Sequence, residues 1–356
     1  MSDRTAFDTL APQFRLEIDG SEVPAALQAD LVGVHVLEDV EATGMFSIRL
    51  NCWDGMEMKV KWIDDDLFRE GKSVVVYMGY RDRVEELFAG EISGLEPDFH
   101  TAEAPVLTVR GYDRSHQLMK QKKTKSYLRM KDSDIARQIA SDSHLDAKVE
   151  DTGVAHEYVL QHNQTNLEFL QQRAERIGYE VFVQAKTLCF RPRSIGGAET
   201  LVLRREIELL EFYPRSTTMN QVADVTVRGW DPKQKKEFVA KSQAGDVRPS
   251  LGATSGPAAM QRSFAGARSL TARSPVSSQA EADKVAAGLL NEMALCHVTG
   301  DGVCIGRPDL RPGRLVKIEG IGQRFGGLYY VTSTEHAYSK GRGYRTAFSV
   351  KRNATG

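Results

Sequence analysis

The sequence has no apolar run approaching the ~18 residues that a membrane span needs, so no transmembrane helix is expected. It also lacks an excess of either charge. The 47 Lys and Arg stand against 48 Asp and Glu, a formal net charge of -1. General nucleic-acid and membrane-surface binders usually carry a basic excess, so proteins with mixed surfaces are the better-matched partners. Cysteine is scarce. Cys52, Cys189, Cys296 and Cys304 form no CxxC and fit neither a disulfide framework nor a zinc site. They read as buried free thiols of a reducing compartment. The N-terminal stretch Met1 to Phe14 is polar and has no apolar core, so no signal peptide is expected. Synthesis in the cytoplasm follows, with any later export as part of a larger particle.

Catalytic signatures are missing as well. There is no HExxH and no GxSxG. Two glycine strings, Gly300 to Gly306 and Gly320 to Gly326, are GxGxxxG, and neither leads into a helix whose N-terminus could hold phosphate. Both read as turns between strands. His156 and His162 on an extended segment would lie about 20 Å apart, too far to share a metal. Adjacent Ser115 and His116 on a strand would point to opposite faces. The run Asp64-Asp65-Asp66 reads as a solvated loop. Hence no catalytic residue, cofactor or metal ligand is assigned.

What is present is mostly β pattern. Phe14–Ile18, Phe46–Leu50, Val74–Tyr77 and Val106–Val109 are short apolar or alternating segments between Gly, Pro and Asp turns. They predict a first small antiparallel barrel over residues 1–113. Residues 114–200 change character. Asp132 or Ser133 can cap a helix with Ile135, Ala136, Ile139 and Ala140 on one face. Thr165-Asn166-Leu167-Glu168 is a capping box, and Gly178 is a natural stop. Tyr179–Val183 and Leu188–Phe190 read as a hairpin, which makes this an inserted α+β module. Residues 201–240 and 300–356 return to strands, a second, split barrel. Residues 241–299 read as a flexible linker, over 241–277, followed by a helix that Ser278 caps.

Two stretches echo each other. Gly71-Lys72 before an apolar strand, then Phe88-Ala89-Gly90, matches Gly313-Arg314 before a strand, then Phe325-Gly326-Gly327. Gly71, Gly90, Gly313 and Gly327 are therefore the expected structural corners, each supplying positive φ or room for close backbone approach. The echo suggests an internal duplication. A shorter one, Arg110-Gly111-Tyr112-Asp113 and Arg228-Gly229-Trp230-Asp231, carries less weight. The expected fold class is mainly β, with two similar small antiparallel barrels and an α+β insert.

The stretch Gln161 to Tyr179, with Gln161, Asn163, Thr165, Glu168-Phe169-Leu170, Arg173-Ala174 and Gly178-Tyr179, resembles a pattern of the phage late-control D family. That family includes contractile-tail baseplate hubs and the N-terminal part of type VI secretion spike proteins. Phe88-Ala89-Gly90-Glu91-Ile92, Val109 to Leu118, Gly306 to Gly313 and Gly343 to Thr346 resemble further family segments in the same order. Asn166 stands where the family more often has Asp. The resemblance implies a homotrimeric hub, not an enzyme. Six similar barrels in a ring would match a sixfold tail tube to a threefold spike. The implied partners are a spike protein on a separate chain, tube and baseplate proteins, and tape-measure protein or cargo. Membrane partners are not expected, and nucleic acid is unlikely. The basic run Lys120, Lys122, Lys123, Lys125, Arg129 and Lys131 reads as a strand edge guarded by lysines, or as a dock for an acidic partner or DNA. Two other readings remain: a tail-associated cell-wall hydrolase, and a monomeric carrier or effector-binding module.

Overall fold

The computed structural model describes residues 11–81, 83–193, 201–231, 234–264, 268–273 and 275–356. The start of the polar N-terminal stretch, residues 194–200 of the insert and parts of the predicted linker lie outside the described residues.

In the N-terminal part, period-2 segments become strands whose apolar face is buried. The order is β1 (Pro12–Ile18), β2 (Ser21–Glu22), helix α1 (Ala25–Asp30), β3 (Leu31–Asp39) and β4 (Met45–Asn51). Then come the small hairpin β5 (Trp53–Asp54) and β6 (Lys59–Val60), then β7 (Ser73–Tyr80), β8 (Arg83–Asp98) and β9 (Val106–Tyr112). Phe46, Ile48 and Leu50 alternate on β4 and are fully buried, together with Val34, Val76 and Leu107.

The insert has its own core, running in sequence from Leu118 to Phe190. It contains β10 (Lys123–Lys131), α2 (Asp132–Asp142), β11 (Asp146–Val149), β12 (Ala155–Gln164), α3 (Asn166–Glu175), β13 (Tyr179–Gln184) and β14 (Thr187–Pro192). The capping box at α3 forms in both directions: Glu168 N–H donates to Thr165 Oγ1, and Thr165 N–H donates to the Glu168 carboxylate. At α2 the expectation is corrected. The N-cap is Lys131, and Asp132 is the first helical residue, with its carboxylate turned inward. Ser115 and His116 lie on a 3-10 turn, not a strand, because the Asp113 side chain accepts from Ser115 N–H and starts the turn.

The remainder begins with β15 (Leu201–Arg204), β16 (Leu209–Ser216), β17 (Asp224–Asp231) and β18 (Lys236–Gln243). β19 (Thr254–Ser255), α4 (Gly256–Ser263), β20 (Ser269–Arg273) and α5 (Gln279–Leu295) follow. The chain ends in β21 (Val298–Ile305), β22 (Leu315–Glu319), β23 (Gly327–Ser339), β24 (Gly343–Arg352) and β25 (Ala354–Thr355). Residues 241–277 are thus not a plain linker. Ser255 caps α4, and β20 pairs in parallel with β17. A strand whose partner lies some forty residues away leaves no periodic trace in so short a segment. β17 and β18 also leave the second half, packing Val225, Val227 and Ala240 against Val285, Ala286 and Leu290 of α5. On α5 the spacing of Ala282, Val285, Leu289 and Met293 predicts the inward face; Ala282 and Val285 are buried, and Ala286, Leu290 and Ala294 take the place of Leu289 and Met293, which are only partly buried.

The predicted duplication takes a definite form. One half has the strand order β3-β4-β9-β8-β7-β1; the other has β16-β21-β24-β23-β22-β15. Corresponding strands also follow the same chain order. In the first half Glu91 faces Tyr112 and Ile92 faces Gly111, and a bulge precedes Gly94 opposite Arg110. In the second, Tyr330 faces Lys351 and Val331 faces Val350, and a bulge precedes Ser333 opposite Ser349. A matching irregularity separates Leu31 from Gly33 and Leu209 from Glu211. Gly71 N–H donates to Ile92 O at 2.8 Å, and Gly313 N–H donates to Val331 O at 2.9 Å. The first strands differ: β1 runs antiparallel to β7, whereas β15 runs parallel to β22.

This register corrects the corner alignment. Gly71 and Gly313 are equivalent, with φ of 88° and 77°. Gly90 is equivalent to Tyr329, and Gly327 to Phe88, so the two Phe-x-Gly motifs are offset by two residues. Gly90 is not at positive φ; a Cβ there would lie 2.4 Å from Tyr112 O. The Arg228-Gly229 echo falls on β17, outside both halves.

The halves are not separate bodies. Ser333–Ser339 of β23 pair antiparallel with Asp39–Gly33 of β3, which merges both into one 13-stranded sheet. A buried ionic cluster fastens the insert to α5. Arg173 donates to Asp132 at 2.6 and 3.0 Å. The His156 ring lies 3.1 Å from Asp132 and 3.5 Å from Glu281. Arg176 donates to Glu281 at 2.9 Å. Burial pushes the Asp132 carboxyl up, but hydrogen bonds from His156 and Arg173 outweigh it and leave it below the usual 3.8.

Two outcomes follow. Gly90→Val destabilises the fold by at least about 2 kcal/mol through overpacking, more than Gly71→Ala, where space is open and only the left-handed φ costs about 1 kcal/mol. Urea melts rank the two; equal midpoints would refute the steric assignment. Asp132→Asn costs about 3 kcal/mol at neutral pH because Arg173 is left unpaired. Since Asp132 is depressed, its contribution is full above the unfolded value of 3.8 and disappears as pH falls through the lower folded value. Stability measured from pH 7 to pH 2 therefore falls less steeply in the variant; parallel acid limbs would contradict this.

Candidate functional site

A concavity of about 1230 Å³ lies between the insert and the sheet. Its wall on the insert is the outer face of β11, β14 and β13. There Lys148, Cys189 and Phe182 form one register row, while Val181, Val183 and Leu188 point the other way into the insert core. The opposite walls are β15, the Arg307–Leu315 segment and the end of β3.

Charge fills this cleft, and several of its ions are paired. Arg311 donates to Glu38 at 2.6 Å. Arg307 grips Asp309 in a fork at 2.9 and 2.7 Å. Arg191 donates to Glu180 at 2.8 Å, and Tyr330 Oη also donates to Glu180. Glu208 accepts from the Arg204 backbone N–H at 2.9 Å. Burial pushes Glu38 above its ordinary range despite Arg311. Asp309 is pushed up by burial, but the Arg307 hydrogen bonds prevail and hold it low. Burial next to the Glu180 carboxylate drives Tyr330 well above 10. A cleft of paired ions can recognise a mixed-charge polypeptide surface.

The other candidates are dispersed. Ser115 Oγ donates to Thr43, while His116 Nδ1 bonds Asp113 O, so the two do not act on each other. His156 is buried in the ionic cluster and His162 is exposed. Among the described residues no group of three His, Cys, Asp or Glu could hold a metal. Gly300 and Gly302 lie within β21, not in a turn; they make room for the Phe212 and Phe348 rings. Gly320 and Gly322 do form a turn, both at φ 82°. The four cysteines are free. Burial raises each thiol, Cys304 to about 12, so none is primed as a nucleophile. In the basic run, Lys125 pairs with Asp142 and Lys131 with Asp151, leaving Lys120 and Lys122 exposed just before β10 and Arg129 exposed on the ribbon that β10 forms with β12. Sequence reasoning missed both the cleft and the ionic cluster, because partners such as Glu38 and Arg311 are 273 residues apart. No local motif marks such a pair.

The geometry can now be set beside known proteins. No curated protein matches the sequence. The structure is similar to the prophage MuSo2 43 kDa tail protein from Shewanella oneidensis, with a TM-score of 0.71 at 13% identity, over 96% of this chain and 99% of that one. It is similar to the tail protein from Neisseria meningitidis MC58, with a TM-score of 0.67 at 14% identity, over 96% and 97%. It is also similar to an E. coli type VI secretion component described as resembling the T4 bacteriophage tail proteins gp27 and gp5. There the TM-score is 0.58 at 15% identity, over 94% of this chain and 76% of that one. At such identities the likeness establishes a fold, and the fold is that of phage tail proteins. The sequence itself is matched over residues 8–340 by the family model of the Alg8 N-terminal domain, and the chain belongs to that family.

Proposed function

We propose that this chain is the structural hub of a contractile tail or injection machine. It acts as a homotrimer that joins a sixfold tube to a threefold spike. The observation that carries this reading is the duplicated six-strand half, with the same order, the same bulges and equivalent Gly71 and Gly313 bonds. Three copies offer six similar units, and closed cyclic symmetry is the usual form of homo-oligomers. The tail-protein fold and the resemblance to the late-control D family support the same reading. The paired charges of the cleft favour binding over hydrolysis. In this reading the partners are a separate spike chain on the threefold side and tube or baseplate proteins around it, and no cofactor takes part.

The test is solution mass by light scattering, for the chain alone and mixed with a candidate spike protein. A mass near three chains is expected in at least one condition. A chain that stays monomeric in both would reject the hub and favour the carrier reading.

A further inference from the structure

The joint between the two halves is asymmetric in an informative way. Beyond its bulge, β23 uses the edge that first held β22 to pair with β3. β8 is the equivalent of β23. Up to Glu91 it pairs with β7, and from there to Asp98 with β9. Beyond its own bulge, the edge that held β7 has no strand on it among the described residues. β16 is the equivalent of β3, and it ends the sheet, paired with β21 and otherwise touched only by a single bridge from Leu209 to Arg205 among the described residues. Each half thus gives one edge to the joint within the chain, β3 from the first and β23 from the second, and each keeps the counterpart of the other's edge, β8 in the first and β16 in the second, with no strand on it among the described residues. Thr334 and His336 on β23 are buried, His336 against Leu310 and Tyr344, whereas their equivalents Leu95 and Pro97 are half-buried and exposed.

We infer that the free edge of β8 in one copy pairs antiparallel with the free edge of β16 in the next copy, repeating between chains the β23–β3 joint within each chain. The inference rests on the trimeric reading above and names the surfaces that would close the ring. The register follows from the equivalences. Ser333, Glu335, His336 and Ala337 correspond to Gly94, Glu96, Pro97 and Asp98. Asp39, Leu37, Val36 and His35 correspond to Thr217, Arg215, Pro214 and Tyr213. Since Glu335 faces Leu37 and Ala337 faces His35 within the chain, Glu96 faces Arg215, and Asp98 faces Tyr213, across the new joint. Opposite charges meet on the first of these rungs. Pro97 and Pro214 meet on one rung. Two residues without N–H then spoil a single rung; any other register would spoil two. In a free chain the same prolines guard both edges against indiscriminate pairing. Phe99 and Tyr213, 61% and 65% exposed, are the large apolar side chains at the two edges that the joint would cover.

The joint is head-to-tail, so single-sided variants separate it from misfolding. Phe99→Asp and Tyr213→Asp change exposed residues, and each should weaken self-association at least about tenfold in sedimentation. Mixed in equal amounts, the two retain one good joint between them and should form a two-chain species. Register is read by oxidising Asp98→Cys/Tyr213→Cys, whose Cα atoms would stand about 5 Å apart. Covalent dimers and trimers are expected from this pair and not from Glu96→Cys/Tyr213→Cys. A wild-type trimer that neither Asp variant weakens and that the in-register pair does not cross-link would overturn the joint and leave the hub reading intact. A wild type that stays monomeric, with or without the spike protein, would overturn both.

Discussion

Seven rungs between β3 and β23 hold the molecule in its shape. Asp39 to Gly33 lie against Ser333 to Ser339, and this ladder turns two half-sheets into one. It exists because β23 bends at the bulge after Val331, releasing one neighbour and accepting another on the same edge. Bulges bend strands and increase twist. A bend placed there lets one half roll around Tyr329, Val331 and Phe348 while the other rolls around Phe46, Ile48 and Val76. The cleft and the outer edges take their positions from that seam.

Charge does the second part of the work. The insert is joined to α5 and to the segment after β3 by ion pairs, among them Arg176–Glu281, Arg193–Glu292 and Arg193–Glu41, while Arg173–Asp132 and Arg191–Glu180 fix charged groups within the insert. Such pairs gain little net stability over an apolar contact but are costly to separate, so they favour one arrangement over others. A part that must hold fixed geometry in a larger assembly has use for that property. Pairs of the same kind recur in the cleft, at Arg311–Glu38 and Arg307–Asp309.

Much of the local structure was legible in the sequence. Alternation at Phe46–Leu50 and Val74–Tyr77, the Thr165–Glu168 box and the stop at Gly178 are short-range signals, and each produced the expected element. The duplication was legible only in outline. Gly71 and Gly313 matched, but the Phe-x-Gly motifs aligned two residues out of step, because a strand ladder fixes register through partners on other strands. The 241–277 segment misled for the same reason: β20 is a strand only because β17 lies beside it.

The sequence by itself determined the strands of the first half, the two helices of the insert and the start and stop of α3, and that two parts of the chain share a pattern. Those properties arise from residues a few positions apart. Only the tertiary structure decided that the two halves form one sheet, that Glu38 meets Arg311 and His156 meets Glu281, and that β8 and β16 are left with open edges. These depend on long-range register and on burial of charge, and both are set when distant strands find one another.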